Sequence, residues 1–280
     1  MILSGTVVPG EKAGRTIGFP TANLKLKREL KIKPGVYAAV CTLGKTNHLG
    51  LAYWGKRYIF GDKVNSFEVY LLNFKGNIYG KKLTVKLLDF IRGPKRLKSL
   101  AAVKKTLTHD LKTMTEKKVI LVNRKDEILG IADLALAHQN PPKLHRAVSV
   151  LLKNKKGELL LQQRSKFKPL WPFYWSNTSC TNVRPGETTL AAAQRSLWRE
   201  LKLKAKLKYQ KKFIYKAKYD RRHSEYEVDY VFTGVVVGKP RANKKEVADW
   251  RFIGPGEVKK LLRVRPEQFT PWFKLGIIKP

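Results

Sequence analysis

The sequence predicts two domains, a β-rich domain followed by a domain of mixed α and β structure. The chain has 280 residues, which is about twice the size of a common single domain. Short β-branched and aromatic runs between glycine-bearing turns dominate the first 90 residues. Beyond residue 116, hairpin patterns are interspersed with apolar residues at helical spacing. Hydrophobic residues make up 43% of the chain, enough to build two cores.

The strands predicted for the first domain favour a small barrel or sandwich. They are "YAAVCTL", "HLGLAYW", "RYIF", "SFEVYLLNF" and "KLTVKLLDFI". The next stretch, "LKSLAAVKKTLTHDLKTM", has helical spacing and lacks glycine and proline, so we expect one helix at the end of this domain. The boundary is expected after this helix, which gives domains of residues 1–114 and 115–280.

The second domain is predicted to be α+β. It begins with two strand-turn-strand patterns, "KKVILVNRKDEILGIAD" and "LHRAVSVLLKNKKGELLLQQR". The segment "TTLAAAQRSLWRELKL" is amphipathic and predicts a helix that starts soon after Pro185-Gly186. The segment "EYEVDYVFTGVVV" predicts a strand, and "PEQFTPWFKLG" predicts a turn with a short helix.

The formal net charge of +37 raises nucleic acid or an acidic membrane as partners. The lysines, however, alternate with apolar residues along the whole chain, and no helix-turn-helix, zinc-finger or ribonucleoprotein pattern is present. We therefore expect a solvated basic surface, with nonspecific nucleic-acid contact as the alternative. The chain contains no run of 18 apolar residues and starts without a basic leader, so we expect a cytoplasmic protein with no membrane partner.

A glycine-rich stretch, "GEKAGRTIGFPTANL", is typical of a phosphate-binding loop. Gly14 and Gly18 would let backbone amides approach a phosphate, and Arg15 could supply positive charge. Thr21 and Asn23 offer hard oxygen donors suited to Mg²⁺. Spacing alone leaves a second interpretation open, a hairpin turn with a polar end.

The motif "GRTIGFPTANL", followed by "PGVYAA", "FEVYLLNFKGNIYGKKLTV" and "FIRGP", closely resembles the riboflavin kinase family over residues 3–111. The resemblance implies a six-stranded antiparallel Greek-key barrel that binds Mg-ATP and phosphorylates riboflavin to FMN. It assigns the metal and phosphates to Thr21 and Asn23, and the base that deprotonates the ribityl hydroxyl to Glu68. Alternatively, Glu68 is an exposed strand residue between Phe67 and Val69. The family's glycine-x-arginine-proline-threonine turn reads "GKRYI" here.

Four acid or imidazole groups of the second domain form a candidate metal site: His138, His145, Glu225 and Glu227. Zinc or magnesium needs several nitrogen or oxygen donors from different elements of the fold. Glu225 and Glu227 alternate along one strand, so both carboxylates can point at one ion. Each histidine, taken alone, is equally compatible with an ordinary surface position.

Five motifs in order resemble type I isopentenyl-diphosphate isomerase over residues 117–275. They are "AHQNPPKLHRAVSVLLKNKKGELLLQQRS", "WPFYWSNTSC", "ETTLAAAQRSLWREL", "EYEVDY" and "TPW". The resemblance implies a Nudix-like fold and a Mg²⁺, Mn²⁺ or Zn²⁺ ion. It also implies that isopentenyl diphosphate becomes dimethylallyl diphosphate. That reaction adds a proton to one carbon and removes one from another, through a tertiary carbocation.

The same resemblance assigns roles to individual residues. Cys180 and Glu227 would face the substrate from opposite sides as the proton-transfer pair, and Trp272 would offer its π face to the cation. The groups assigned to the diphosphate and its own Mg²⁺ are Arg164, Lys168 and Glu200. Alternatively, Trp272 anchors the C-terminal turn and Arg164 is a solvated strand end.

One position departs from the isomerase pattern. The family places a metal-binding histidine two residues after the cysteine, where this chain has Asn182. An asparagine offers a carbonyl oxygen, which is a weaker zinc ligand than imidazole. His223 shares strand parity with Glu225 and Glu227, and we therefore hypothesise that it replaces the missing histidine.

Three rival functions follow from the same residues. A Nudix hydrolase would need further glutamates after Arg199-Glu200, but Lys202, Leu203 and Lys204 stand there. Another alternative is an enzyme with only one of its two sites active. The third is a basic nucleic-acid-binding protein in which both catalytic sites are dead.

Overall fold

A computed structural model describes residues 1–26 and 29–278 of the chain. The described chain forms two compact units, Met1–Ala132 and Asp133–Pro280. Within the described ranges, no helix combines the length and the apolar character needed to cross a membrane.

The first unit is a closed six-stranded barrel, as predicted. Its strands are β1 (Ile2–Val8), β2 (Thr21–Lys25), β3 (Gly35–Leu43), β4 (Thr46–Gly55), β5 (Ser66–Leu71) and β6 (Lys82–Arg92). They follow the order β1-β2-β5-β4-β3-β6, and β1 pairs antiparallel with β6 to close the barrel. The nonconsecutive neighbours β2–β5 and β3–β6 make the topology a Greek key. The run "RYIF", expected as a strand, instead contains a 3₁₀ turn at Tyr58–Phe60.

Strand β5 shows how the barrel separates its core from its outer wall. Phe67, Val69 and Leu71 point inward and are buried in the core, as the two-residue period of a strand requires. Glu68 and Tyr70 alternate with them and therefore point outward. A carboxylate is thus held on the outside of the barrel by a rigid strand.

A short helix, α1 (Ala13–Thr16), lies between β1 and β2, and a long helix, α2 (Leu100–Thr115), follows the barrel as expected. The Ser99 hydroxyl caps α2 by accepting a hydrogen bond from the backbone N–H of Ala102, at 3.2 Å. Asp110 on α2 is fully buried and forms an ion pair with Arg92 at 2.8 Å. This pair fixes α2 to the last barrel strand.

A hairpin, β7 (Lys118–Val122) and β8 (Ile128–Asp133), comes after α2. The first unit extends through this hairpin to Ala132, whereas the sequence suggested a boundary after residue 114. A hydrogen bond of 2.8 Å from Asn47 Nδ2 to the Ile128 carbonyl oxygen is one contact between hairpin and barrel. The assignment of separate functions to residues 1–114 and 115–280 stays a prediction.

The second unit is an α+β fold around one sheet. Its strands are β9 (His145–Lys153), β10 (Leu159–Arg164), β11 (Trp175–Ser176), β12 (Ser179–Asn182), β13 (Lys208–Lys218), β14 (Ser224–Val235) and β15 (Val247–Ile253). Five follow the order β11-β10-β9-β14-β13, while β12 pairs with β9 and β15 with β10. Its helices are α3 (Leu134–His138), α4 (Thr189–Leu201), α5 (Pro255–Val264) and α6 (Pro271–Ile278), with a 3₁₀ turn at Pro266–Gln268.

Helix α4 carries an acid on its buried face. Thr188 caps the helix by accepting from the N–H of Ala191 at 3.1 Å, and Lys202 ends it in a left-handed conformation with φ 57°. Leu197 and Leu201 lie fully buried on the face that also holds Glu200. The amphipathic pattern therefore places a glutamate inside the unit.

Strand register brings distant residues together in the second unit. Strand β14 pairs parallel with β9, so Glu227 lies opposite His145, and it pairs antiparallel with β13, so Glu227 also lies opposite Tyr215. Strand β12 pairs with β9 and places Cys180 opposite Ser149. Four strands thus contribute side chains to one face of the sheet.

Candidate active sites

A cavity of about 370 Å³ opens on that face of the second unit. Acid and imidazole groups line one part of its wall, and basic, sulfur and aromatic groups line another. Residues from both parts include His138, Glu225, Glu227, Arg164, Cys180 and Trp272. The predicted catalytic residues of this domain therefore meet in one place.

The four predicted metal ligands lie together, with one ligand atom from each within 4.8 Å of the others. His138 Nε2 is 2.7 Å from Glu225 Oε2, and His145 Nε2 is 3.4 Å from Glu227 Oε1. The Nδ1 atoms of both histidines lie 2.7 Å from backbone carbonyl oxygens. A carbonyl can only accept, so each Nδ1 carries hydrogen and each Nε2 faces the cluster, as in histidines that bind metals.

The charges of this cluster suit a bound cation. Burial would lower the pKa of His138, but its hydrogen bond to Glu225 raises it to about 9. Burial and the neighbouring Glu227 raise the pKa of Glu225. Oxygen Oε2 of Glu225 is buried, and apart from its 2.7 Å contact with His138 Nε2 it has no hydrogen-bond partner among the described residues. A divalent cation would satisfy this oxygen and both carboxylate charges, so the residues fit a metal ion.

Asn182 joins the cluster, whereas His223 does not. Asn182 Nδ2 donates to Glu227 Oε1 at 2.9 Å and lies 3.0 Å from His145 Nε2. His223 lines the same cavity, but its Nδ1 is 3.1 Å from both carboxylate oxygens of Asp220. The structure therefore places Asn182, rather than His223, against the candidate ligands.

The Cys180 thiol is held in its protonated form. Burial raises its pKa to about 12, although the positive charge of Arg164 acts in the opposite direction. The pKa of Glu227 is lowered instead. Burial alone would raise it, but hydrogen bonds with His145 and Tyr215 stabilise the carboxylate. The two predicted proton-transfer groups thus hold opposite protonation states.

Tyr215 belongs to the site and was missed from the sequence. Its hydroxyl donates to Glu227 Oε2 at 2.5 Å, and its ring lies 6.2 Å from that of Trp272. The lysine-rich stretch around it looked like a solvated surface. Phe213, Tyr215 and Ala217, however, share a parity that could have indicated a buried face of a strand.

Asp229 continues the row of acids along β14 beneath the cavity. It is buried, and Ser149 Oγ donates to its Oδ2 at 2.7 Å. Burial and the charge of Glu227 raise the pKa of Asp229 to about 8. Its shared parity with Glu225 was a sequence signal for this position.

Trp272 lies in the cavity wall with its indole oriented by a hydrogen bond. Its Nε1 donates to Asn177 Oδ1 at 3.0 Å, and both side chains are buried. The guanidinium carbon of Arg164 lies 5.2 Å from the centre of the indole ring. The ring therefore already stabilises one cation, and Trp272 is among the residues that line the cavity.

The groups assigned to the diphosphate lie at one end of the cavity. Arg164 is buried, and its guanidinium donates to the backbone carbonyl oxygens of Leu170 and Trp171. Lys168 Nζ lies 3.6 Å from Glu200 Oε1 and makes a shorter contact with Glu246. Glu246 was missed because it stands among lysines in "ANKKEVADW". Burial would raise its pKa, but Lys168 and then Arg199 lower it.

In the barrel, Thr21 and Glu68 lie between two cavities. Thr21 lines both a cavity of about 70 Å³ and one of about 140 Å³, and Glu68 lines the larger one. Thr21 Oγ1 donates to Glu68 Oε2 at 3.2 Å, and Arg57 Nη1 lies 3.0 Å from Glu68 Oε1. Arg57 in turn pairs with Asp62 at 2.5 Å. The carboxylate assigned as a base is therefore fixed from both sides.

The glycine-rich stretch is tightly folded around the smaller cavity. A Cβ at Gly14 would lie 2.2 Å from the carbonyl oxygen of Phe19, and Gly18 has φ +83°, so both positions favour glycine. Arg15 lines this cavity and donates to the Tyr79 hydroxyl at 3.1 Å. Asn23 is opposite Glu68 in the pairing of β2 with β5.

Comparison with known proteins separates the chain into two parts. Residues 1–118 match the riboflavin kinase family, and residues 143–273 match the NUDIX domain. An isopentenyl-diphosphate Delta-isomerase of Pectobacterium atrosepticum is 36% identical over 157 residues, which cover 56% of this chain and 87% of that protein. The isomerase of Nocardia farcinica is 39% identical, over 55% of this chain and 89% of its own length. Isomerase 1 of Photorhabdus laumondii is 38% identical, over 56% and 90%.

Proposed function

Because the chain belongs to the isopentenyl-diphosphate Delta-isomerase family through its second domain and carries a riboflavin kinase domain before it, we propose that it catalyses both reactions. The second domain would convert isopentenyl diphosphate to dimethylallyl diphosphate. The first would transfer phosphate from ATP to riboflavin. The observation that carries the isomerase proposal is the four-ligand cluster, three members of which line the same cavity as Cys180.

The isomerisation needs two proton-transfer groups in complementary states. Cys180 retains its proton at neutral pH, while Glu227 is a carboxylate that accepts hydrogen bonds from Tyr215 and Asn182. One member of the pair gives a proton to the terminal carbon of the double bond. The other removes a proton from the carbon on the far side of the tertiary cation. The substrate keeps its composition, and the proton on the pair has changed sides.

The remaining residues stabilise charge. The Trp272 ring would stabilise the tertiary carbocation, an attraction of about 2 kcal/mol when the cation is desolvated. Arg164 and Lys168 would bind the diphosphate, and Glu200 would help hold the Mg²⁺ that accompanies it. The candidate ligands His138, His145, Glu225 and Glu227 would hold a Mg²⁺, Mn²⁺ or Zn²⁺ ion that supplies positive charge to keep Glu227 ionised.

The isomerase proposal is tested by conversion of labelled isopentenyl diphosphate in the presence of Mg²⁺. We expect product with the full chain and loss of at least about a thousandfold in kcat with Cys180→Ala. Cys41→Ala is the matched control, because Cys41 is a buried barrel residue outside this cavity. Equal kcat values for Cys180→Ala and the wild-type protein would contradict the role of the thiol.

We propose riboflavin kinase activity for the first domain on a separate observation. Glu68 and Thr21 are hydrogen-bonded at the point where a cavity beside the glycine-rich stretch approaches a larger, more apolar one. Glu68 would accept the proton of the ribityl hydroxyl as that oxygen attacks the terminal phosphate of ATP. Thr21 and Asn23 would hold Mg²⁺ and phosphate oxygens, and Arg15 would add charge.

The kinase proposal is tested by the appearance of FMN from riboflavin and Mg-ATP. Glu68→Gln is expected to reduce kcat by about a hundredfold or more. Glu116→Gln is its control, because Glu116 is exposed and lines neither barrel cavity. If neither reaction occurs, and the full chain instead binds random DNA in a salt-sensitive manner, both enzyme proposals are wrong. The basic surface would then be the functional feature.

A further inference from the structure

Four charged side chains form a closed ring at the diphosphate end of the second-domain cavity. Lys168 contacts Glu246 and lies 3.6 Å from Glu200. Arg199 completes the ring, with Nη2 at 3.4 Å from Glu200 Oε1 and Nε at 3.3 Å from Glu246 Oε1. Each cation therefore lies between the same two carboxylates. Both cations also line the cavity.

The ring limits the positive charge that this end of the cavity offers to an anion. Arg164, Lys168 and Arg199 supply three positive charges, and Glu200 and Glu246 supply two negative ones, so the local net charge is +1. A diphosphate ester carries about three negative charges at neutral pH. The protein alone therefore leaves most of the diphosphate charge uncompensated.

The two acids of the ring are not equivalent. Glu200 is fully buried, and its second oxygen accepts from Gln162 Nε2 at 2.7 Å, so its position is fixed by the core. Glu246 immediately precedes β15, the strand that pairs with β10, and its side chain is 20% exposed. Both of its oxygens contact ring cations. Glu246 is therefore the acid whose charge acts mainly on Lys168 and Arg199.

We propose that Glu246 makes diphosphate binding depend on a divalent cation by holding Lys168 and Arg199 in ion pairs. A metal-free diphosphate must draw Lys168 and Arg199 out of these pairs, which leaves the carboxylates of Glu200 and Glu246 without their partners. A diphosphate that brings its own Mg²⁺ has less negative charge, and its cation is attracted by the same carboxylates. This role rests on the proposed isomerase function, because it deepens the recognition of that substrate. Glu246 acts through Lys168 and Arg199 and is thus a positioning residue.

The proposal is tested by calorimetric titration of the full chain with inorganic pyrophosphate, in EDTA and in Mg²⁺. We expect wild type to bind much more tightly with Mg²⁺. In Glu246→Gln, metal-free binding should become about tenfold tighter, because an opposing charge is removed from a partly buried site. The ratio of the two affinities should fall correspondingly. Glu257→Gln on α5 is the matched control for loss of one acid, since Glu257 is exposed and outside the cavity.

Two further measurements make the result decisive. Glu246→Asp keeps the charge and should retain the dependence on Mg²⁺, whereas a purely steric role would survive in Glu246→Gln, which has the same shape, and would be lost in the shorter Glu246→Asp. If Glu246→Gln does not fold, wild type alone still decides, because equal affinity with and without Mg²⁺ would overturn the proposal. Absence of isomerase activity together with the predicted pyrophosphate behaviour would refute the reaction but not the role of Glu246. Isomerisation with an unchanged affinity ratio in Glu246→Gln would refute that role alone.

Discussion

Arg164 Nη1 lies 3.8 Å from the Sγ of Cys180, so a buried guanidinium is in contact with the thiol that we place in catalysis. A positive neighbour commonly activates a cysteine by lowering its pKa. Here the guanidinium also donates to the carbonyl oxygens of Leu170 and Trp171, and burial of the sulfur outweighs its effect. The contact orients the thiol without ionising it.

Slow alkylation of Cys180 at neutral pH follows from a thiol pKa of about 12. A raised pKa favours the thiol over the reactive thiolate, so the rate with iodoacetamide should rise about tenfold per pH unit up to pH 11. Peptide mapping distinguishes Cys180 from Cys41, whose pKa burial also raises to about 12. Unfolded protein serves as the control. Rapid modification of Cys180 at pH 7 would contradict this prediction.

Replacing Tyr215 with Phe should impair the isomerase while leaving the fold intact. The change removes the 2.5 Å hydrogen bond to Glu227, which helps to keep that carboxylate ionised. We expect kcat to fall by about tenfold to a hundredfold and stability to fall by about 1 kcal/mol. Tyr226→Phe is the matched control, because Tyr226 is a half-buried residue on the opposite face of β14. Equal kcat in both variants would exclude a role for the Tyr215 hydroxyl.

Substitution Asn182→His should strengthen zinc binding. The side chain of residue 182 already lies within 3.0 Å of groups of His145 and Glu227, and imidazole is a better zinc ligand than an amide. We expect Zn²⁺ affinity to increase at least about tenfold in competition with a chromophoric chelator. His223→Ala should leave affinity unchanged, because His223 contacts Asp220. A loss of bound metal in His223→Ala would instead support the substitution hypothesis drawn from strand parity.

Asp229 should make the stability of the metal-free protein decrease as the pH rises from about 4 to 8. The pKa of Asp229 in the folded state is about 8, whereas an unfolded aspartate titrates near 3.9. Between those values the folded state retains a proton that the unfolded state has lost, so unfolding becomes easier with rising pH. The contribution is about 1.4 kcal/mol per pH unit.

Substitution Asp229→Asn tests this contribution, because it removes the titrating group while keeping a polar side chain. Urea unfolding of both proteins in EDTA at pH 5, 6, 7 and 8 should show Asp229→Asn becoming progressively more stable relative to wild type. A stability difference that does not vary with pH would show that Asp229 is ionised throughout.

Much of the fold followed from local sequence patterns. The barrel strands and α4 show clear periods of two and of 3.6 residues, whereas the closed six-stranded barrel and the Nudix-like fold were expected from the family resemblances, and both were confirmed. Tyr58 illustrates where such patterns fail. Its run of aromatic and β-branched residues resembles a strand, but Arg57 pairs with both Asp62 and Glu68, and the chain turns around this guanidinium. Side-chain contacts between separate segments overrode the local preference.

The sites were less completely predictable, because they depend on pairing between distant strands. His138, His145, Glu225 and Glu227 were recognised as a set, and the structure brings them together. Tyr215 and Glu246 were missed, because lysines surround both in sequence and hide their buried contacts. The same effect concealed β13 and β15. A charged neighbourhood along the chain is thus a poor guide to the surroundings of a side chain in the folded protein.

The parallel pairing of β9 with β14 has a consequence for synthesis on the ribosome. His145 lies opposite Glu227, so the complete ligand set requires two strands far apart along the chain. The barrel, by contrast, closes through contacts of β1 with β6, which ends at Arg92. Translation proceeds from the N-terminus, so the metal cluster can form only after Glu227 has left the exit tunnel. Only then can the contacts between β9 and β14 offset the entropy lost when these distant segments come together. The kinase-like site can therefore assemble while the isomerase site is still being made.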